Sequence, residues 1–131
     1  MSKTVIDMPV PDPSKAHKEI HIAVDFDGTL AEYEGWDKQG HIIGKPIKPM
    51  VENLKRWLKK GYKVSIFTAR LSHSELESAQ AIQLISQFLL ENGLPILPIT
   101  CMKMYWFTHF VDDKAYHAEL NKGWIEPKMG I

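Results

Sequence analysis

Ile20-His21-Ile22-Ala23-Val24-Asp25-Phe26-Asp27-Gly28-Thr29-Leu30 is the stretch on which the reading of this chain turns. Residues 20–24 are a short apolar run rich in β-branched side chains, which predicts a buried strand. The run stops at two carboxylates and a glycine, so it delivers acids to the strand's C-terminal edge. Asp25 and Asp27 stand two residues apart and accept hydrogen bonds without donating them when ionised. Two buried like charges are costly unless a cation or a proton relieves them. The pattern therefore points to a divalent metal combined with covalent or acid/base chemistry. A turn at Gly28 is the simpler use of either aspartate, since Asp is a common turn residue.

Working outward, Met50, Val51, Leu54, Trp57 and Leu58 form one apolar stripe, with Glu52, Lys55, Arg56, Lys59 and Lys60 opposite. Pro49 suits the first turn of this helix and Gly61 its stop. Residues 62–67 alternate like a strand and end at Thr68-Ala69-Arg70. Ser72 with Glu75 reads as a capping box for a long helix running to Asn92-Gly93. Residues 98–101 make a short third strand, and residues 109–111 a fourth that ends at Asp112-Asp113. The tail 116–125 is a candidate edge strand. Between the first strand and the first helix, residues 32–34 and 41–43 predict a small hairpin closed through 37–40. This order predicts an α/β fold: a Rossmann-like, open, mostly parallel sheet with helices on both faces. Polar residues then terminate four separate strands: Asp25 and Asp27, Thr68, Lys103, and Asp112 with Asp113. In such sheets ligands collect beyond the C-terminal strand ends.

The 131 residues suit one domain over 19–131, preceded by a Pro-rich extended arm over 1–18. Sixteen basic residues balance sixteen acidic ones, which gives no global attraction to nucleic acid or anionic membranes. A single cysteine, Cys101, allows no internal disulfide and suits a reducing compartment. Asp7, Pro9, Pro11 and Pro13 interrupt the N-terminal apolar residues, and no run is long enough for a bilayer. A cytoplasmic protein with no membrane partner is the expectation. Six histidines show no metal-ligand spacing; His21, mid-strand, reads as a structural imidazole, and His73 and His117 fall near the motifs. Trp36, Trp106 and Trp124 suit core packing, a homo-oligomer interface or base stacking.

These positions resemble the haloacid dehalogenase (HAD)-like superfamily, in its capless phosphatase subgroup, over roughly residues 20–115. Asp25–Leu30 matches the first motif, Thr68 the second, Lys103 (or, by a slip, Lys114) the third, and Asp112-Asp113 the fourth. The resemblance implies a Mg2+-dependent phosphohydrolase with Asp25 as nucleophile and Asp27 as general acid/base. It implies Mg2+ held by Asp25, the main-chain carbonyl of Asp27 and Asp112, with Asp113 in support. Thr68, Ala69 and Lys103 would cradle the phosphoryl group, and Arg70 is a candidate for a second anionic group. The slots that carry cap domains in that superfamily are short here, so no folded cap is expected. The implied substrate is a small phosphorylated metabolite or nucleotide, with a phosphorylated polynucleotide end as a further candidate that the neutral charge does not favour. A non-catalytic binding or scaffold module and a phosphoacceptor signalling domain are the competing classes. Receivers place their acid pair first in the chain, whereas here Asp-Asp comes last.

Overall fold

A computed structural model describes residues 19–33, 35, 43–72 and 74–131. The Pro-rich arm, the hairpin tip with Trp36, and His73 lie outside the described residues. The elements are β1 (His21–Asp25), α1 (Lys48–Lys59), β2 (Lys63–Phe67), a 3-10 turn (Ala69–Ser72), α2 (Glu75–Glu91), β3 (Ile99–Thr100) and β4 (His109–Val111). Two further short strands, β5 (His117–Ala118) and β6 (Ile125–Glu126), follow. β1 to β4 form one sheet in the order β3-β2-β1-β4, every pairing parallel. This is the α/β, Rossmann-like architecture expected from the sequence, with the first strand at its centre.

Helix punctuation follows local chemistry. α1 carries Pro49 in its first turn and ends before Gly61, whose φ of +84° suits a residue without Cβ. The start of α2 differs from the expected box. Ser74, not Ser72, is the N-cap, its hydroxyl accepting the Glu77 N–H at 3.2 Å. Both serines precede a glutamate by three residues; Ser72 is instead taken into the 3-10 turn, where its hydroxyl donates to the Ala69 carbonyl.

The placement of the helices corrects the expectation of helices on both faces. β1, β2 and β3 step across the sheet in one direction, so right-handed crossovers put α1 and α2 on the same side. Val51 and Leu54 of α1 and Ala81, Ile85, Phe88 and Leu89 of α2 share one core with Ile22, Val24, Val64, Ile66 and Ile99. The other face carries Ala23 and Phe67 beneath Met104, Trp106 and Phe107. Those three belong to the β3–β4 connection, residues 101–108, which is non-helical. Eight residues are fewer than the dozen or so that a helical crossover needs.

The tail also differs from expectation. β5 and β6 pair only with each other, as an antiparallel ribbon separate from the main sheet. Its Leu120 and Trp124 are exposed, so no core burial draws it to the edge. No helix among the described residues is long and apolar enough to cross a membrane.

Candidate functional site

The parallel register brings three strand ends level. Asp25 is the partner of Phe67, and Val24 that of Val111. The next residues, Thr68 and Asp112, therefore flank Asp25 from the two sides. Beyond β1 the chain closes a tight loop in which the Phe26 carbonyl accepts the N–H groups of Leu30 at 2.9 Å and Ala31 at 3.0 Å. Gly28 sits at φ +85°, and a Cβ there would lie 2.9 Å from Asp113 Oδ2. Only glycine satisfies both the backbone conformation and this close approach.

The loop turns Thr29 back toward the strand ends. Its hydroxyl lies 3.2 Å from Asp25 Oδ2 and 3.3 Å from Asp113 Oδ1, and it accepts the Asp113 N–H at 3.1 Å. One hydroxyl proton thus serves two carboxylates. Carboxylate oxygens of Asp25, Asp112 and Asp113 all lie within 4.8 Å of one another. Burial, the hydrogen bond with Asp113, and the charges of Asp112 and Asp113 push the Asp25 carboxyl from 3.8 up to about 7, against the opposing pull of Thr29. Three hard oxygen donors this close are a donor set able to hold a divalent cation. Asp112 Oδ1 also accepts the Lys114 N–H at 2.7 Å, which fixes the turn after β4.

These carboxylates open onto a cleft of about 190 Å³ lined by Asp25, Asp27, Tyr33, Thr68, Ala69, Asp112, Asp113 and Lys114. Thr68 is anchored by its N–H to the Thr100 carbonyl at 2.8 Å, and its buried hydroxyl accepts the Arg70 N–H at 3.2 Å. That leaves the hydroxyl proton available to a ligand in the cleft.

Asp27 turns away from the acidic cluster. Its two oxygens accept from Arg70, Nε to Oδ2 at 2.7 Å and the terminal nitrogen to Oδ1 at 2.9 Å. The side chains are 11% and 5% exposed, so this is a largely buried, bidentate ion pair. Arg70 faces a second cleft of about 190 Å³, lined also by Asp27, Glu32, Tyr33, Gly35, Ile43, Gly44 and Lys45. Asp27 and Tyr33 belong to both clefts. The second is walled by the described ends of the expected hairpin, where the Glu32 N–H donates to the Lys45 carbonyl at 2.8 Å and Ala31 bridges Pro46 antiparallel.

Of the residues expected at the site, Asp25, Asp27, Thr68, Ala69, Asp112 and Asp113 meet at one cleft. Arg70 stands behind Asp27. Lys103 is exposed and does not line the cleft; its Nζ lies 5.3 Å from the centre of the Phe110 ring. Lys114 does line it, with Nζ 5.9 Å from the centre of the Tyr33 ring. His21 is buried and bonded to Ser65 Oγ at 2.6 Å, in keeping with a structural imidazole. His117 is exposed on the ribbon and lines neither cleft. Sequence reasoning gave no role to Thr29 or Tyr33. Thr29 had a signal, since it lies inside the first motif; Tyr33 had none.

No protein-family model matches the chain, and no curated protein does. The chain is similar to a solved structure of a conserved protein coded by a locus from Bacteroides thetaiotaomicron, at 24% identity over 74% of this chain and 78% of that one, with a TM-score of 0.47.

Proposed function

We propose that this chain is a Mg2+-dependent phosphomonoesterase of the haloacid dehalogenase type that works through an aspartyl-phosphate on Asp25. One observation carries the reading: the Asp25, Asp112 and Asp113 carboxylates converge on a cleft that Asp27, Thr68 and Ala69 also line. Phosphate monoesters hydrolyse so slowly that such an enzyme must lower the barrier by on the order of 20 kcal/mol. Asp25, Asp112 and Asp113 would hold the cation, which supplies charge neutralisation for the carboxylates and for a phosphoryl group. With its carboxyl pushed up to about 7, Asp25 is a weak nucleophile at neutral pH until that charge is relieved, which makes turnover depend on the cation.

Asp25 attacks phosphorus as the bond to the leaving oxygen breaks. Thr68 Oγ1, the Ala69 N–H and the Lys114 ammonium are the donors on the cleft wall for phosphoryl oxygens. Asp27 stands where the two clefts meet. Having first taken a proton from solvent on an oxygen lone pair that its Arg70 bonds leave free, it would pass that proton to a leaving oxygen held in the second cleft and then take one from the water that opens the aspartyl-phosphate. With no folded cap expected from the sequence, small phosphorylated metabolites or nucleotides would enter directly. The test is a panel of phosphate esters with and without Mg2+. Phosphate release should require Mg2+, cease in chelator and cease in Asp25→Asn. Release that persists in Asp25→Asn would sink the covalent mechanism, and no release from any ester would sink the function.

A further inference from the structure

Arg70 follows Thr68-Ala69 directly, a place from which a cation would be expected to bind the phosphoryl group itself. The geometry points elsewhere, and we propose that Arg70 is a positioning residue for Asp27, acting on the phosphoryl group only through that carboxylate. The inference rests on the acid/base role given to Asp27 above.

Three observations combine. Arg70 does not line the cleft that holds the acidic cluster, whereas Asp27 does. The guanidinium spends Nε and a terminal nitrogen on the two oxygens of Asp27, at 2.7 and 2.9 Å. The side chains are only 5% and 11% exposed, so little water reaches the pair even though both residues line the second cleft. A planar fork meeting a planar carboxylate sets the direction of the carboxylate as well as its location. The backbone reinforces this: the Arg70 N–H is tied to Thr68 Oγ1 at 3.2 Å, so the stem starts from a fixed point beside the phosphoryl-binding hydroxyl. Without the fork, Asp27 would turn about its own χ angles at the junction of the two clefts. Proton delivery to a leaving oxygen needs hydrogen-bond reach in the right direction, so misalignment costs rate even when the group is present.

A positioning role and direct phosphoryl binding differ in what their loss does to different substrates. Alkyl phosphates leave as poor anions and need a proton, whereas p-nitrophenyl phosphate leaves without one. The measurement is kcat/KM for glycerol 1-phosphate and for p-nitrophenyl phosphate, in Mg2+, for the whole chain. The proteins compared are wild type, Arg70→Lys, Arg70→Gln, Asp27→Asn and Asp27→Asn/Arg70→Gln. Arg70→Lys keeps the charge but cannot meet both oxygens, and it serves if Arg70→Gln fails to fold. Asp27→Asn should cost roughly 10²–10⁴-fold on the alkyl ester and far less on the aryl one. The Arg70 variants should copy that pattern, losing at least about tenfold more on the alkyl ester, and the double variant should be no slower than Asp27→Asn alone. Equal losses on both esters, or losses that multiply in the double variant, would assign Arg70 to the phosphoryl group and overturn the inference. A wild type inactive on both esters would instead remove the phosphatase reading on which it rests.

Discussion

Replacing the proposed nucleophile should make the metal-free protein more stable. Asp25 sits against Asp112 and Asp113 behind a partly buried surface, and its carboxyl binds a proton with a value near 7 instead of 3.8. The folded value is raised, so the favourable protonated form is fully present below pH 3.8 and is lost as pH rises through about 7. At about 1.4 kcal/mol for each tenfold change in proton binding, the gap corresponds to about 4 kcal/mol at pH 8. Exposure of Asp112 and Asp113 to water reduces this to about 2–4 kcal/mol. Asn keeps the shape, can donate to Asp113 as the protonated acid does, and carries no charge. Wild type and Asp25→Asn should therefore be equally stable at pH 4 in EDTA, with the variant ahead by about 2–4 kcal/mol at pH 8. Urea denaturation at half-unit pH steps gives the difference curve, from which titrating groups remote from the cluster cancel, leaving the joint titration of Asp25 with Asp112 and Asp113. Saturating Mg2+ should reverse the order at pH 8, because wild type offers the cation one more negative ligand. A difference curve that stays flat from pH 4 to 8 would refute the account of the cluster.

Two other perturbations probe the same framework. Gly28→Ala forces a Cβ into φ +85° and to within 2.9 Å of Asp113 Oδ2. It should cost about 1–2 kcal/mol of stability and, by displacing Asp113, about tenfold or more in divalent-cation affinity by titration calorimetry. On the other face, burial chiefly, with the Lys63 charge and against that of Glu19, lowers His21 from 6.5 to about 4. Its neutral form supports the fold above pH 6.5, and that support drains away as pH falls toward 4, about 3 kcal/mol in all. His21→Gln should lack this acid slope in urea titrations, and parallel curves for the two proteins would show that the imagined strain on a protonated His21 is absent.

Much of the fold was legible because it is written in local periodicity. The β-branched run ending at Asp25, the alternation through Phe67 and the single stripe of α1 each stand in one segment and need no partner to be recognised. The α2 start was harder, since Ser72 and Ser74 both satisfy the capping pattern; the choice fell to Ser74 once the 3-10 turn had engaged Ser72. The side of the sheet taken by the helices depends on strand order, which no single segment encodes. The same holds for the tail, whose strand-like composition found a partner only within itself.

The site divides along the same line. That Asp25, Thr68 and Asp112 share one edge follows from the sequence, because each directly ends or follows an apolar strand and parallel strands present their C-terminal ends together. The bonds among those side chains are a different matter. Asp27 and Arg70 lie 43 residues apart, and Thr29 and Asp113 84 apart. Their pairing depends on how the Gly28 loop and the turn after β2 aim side chains across a few ångströms. Chemistry at a strand end is a property of residue type and spacing, which sequence carries. Who bonds to whom at that edge is a property of distance and direction, and only the folded sheet sets those.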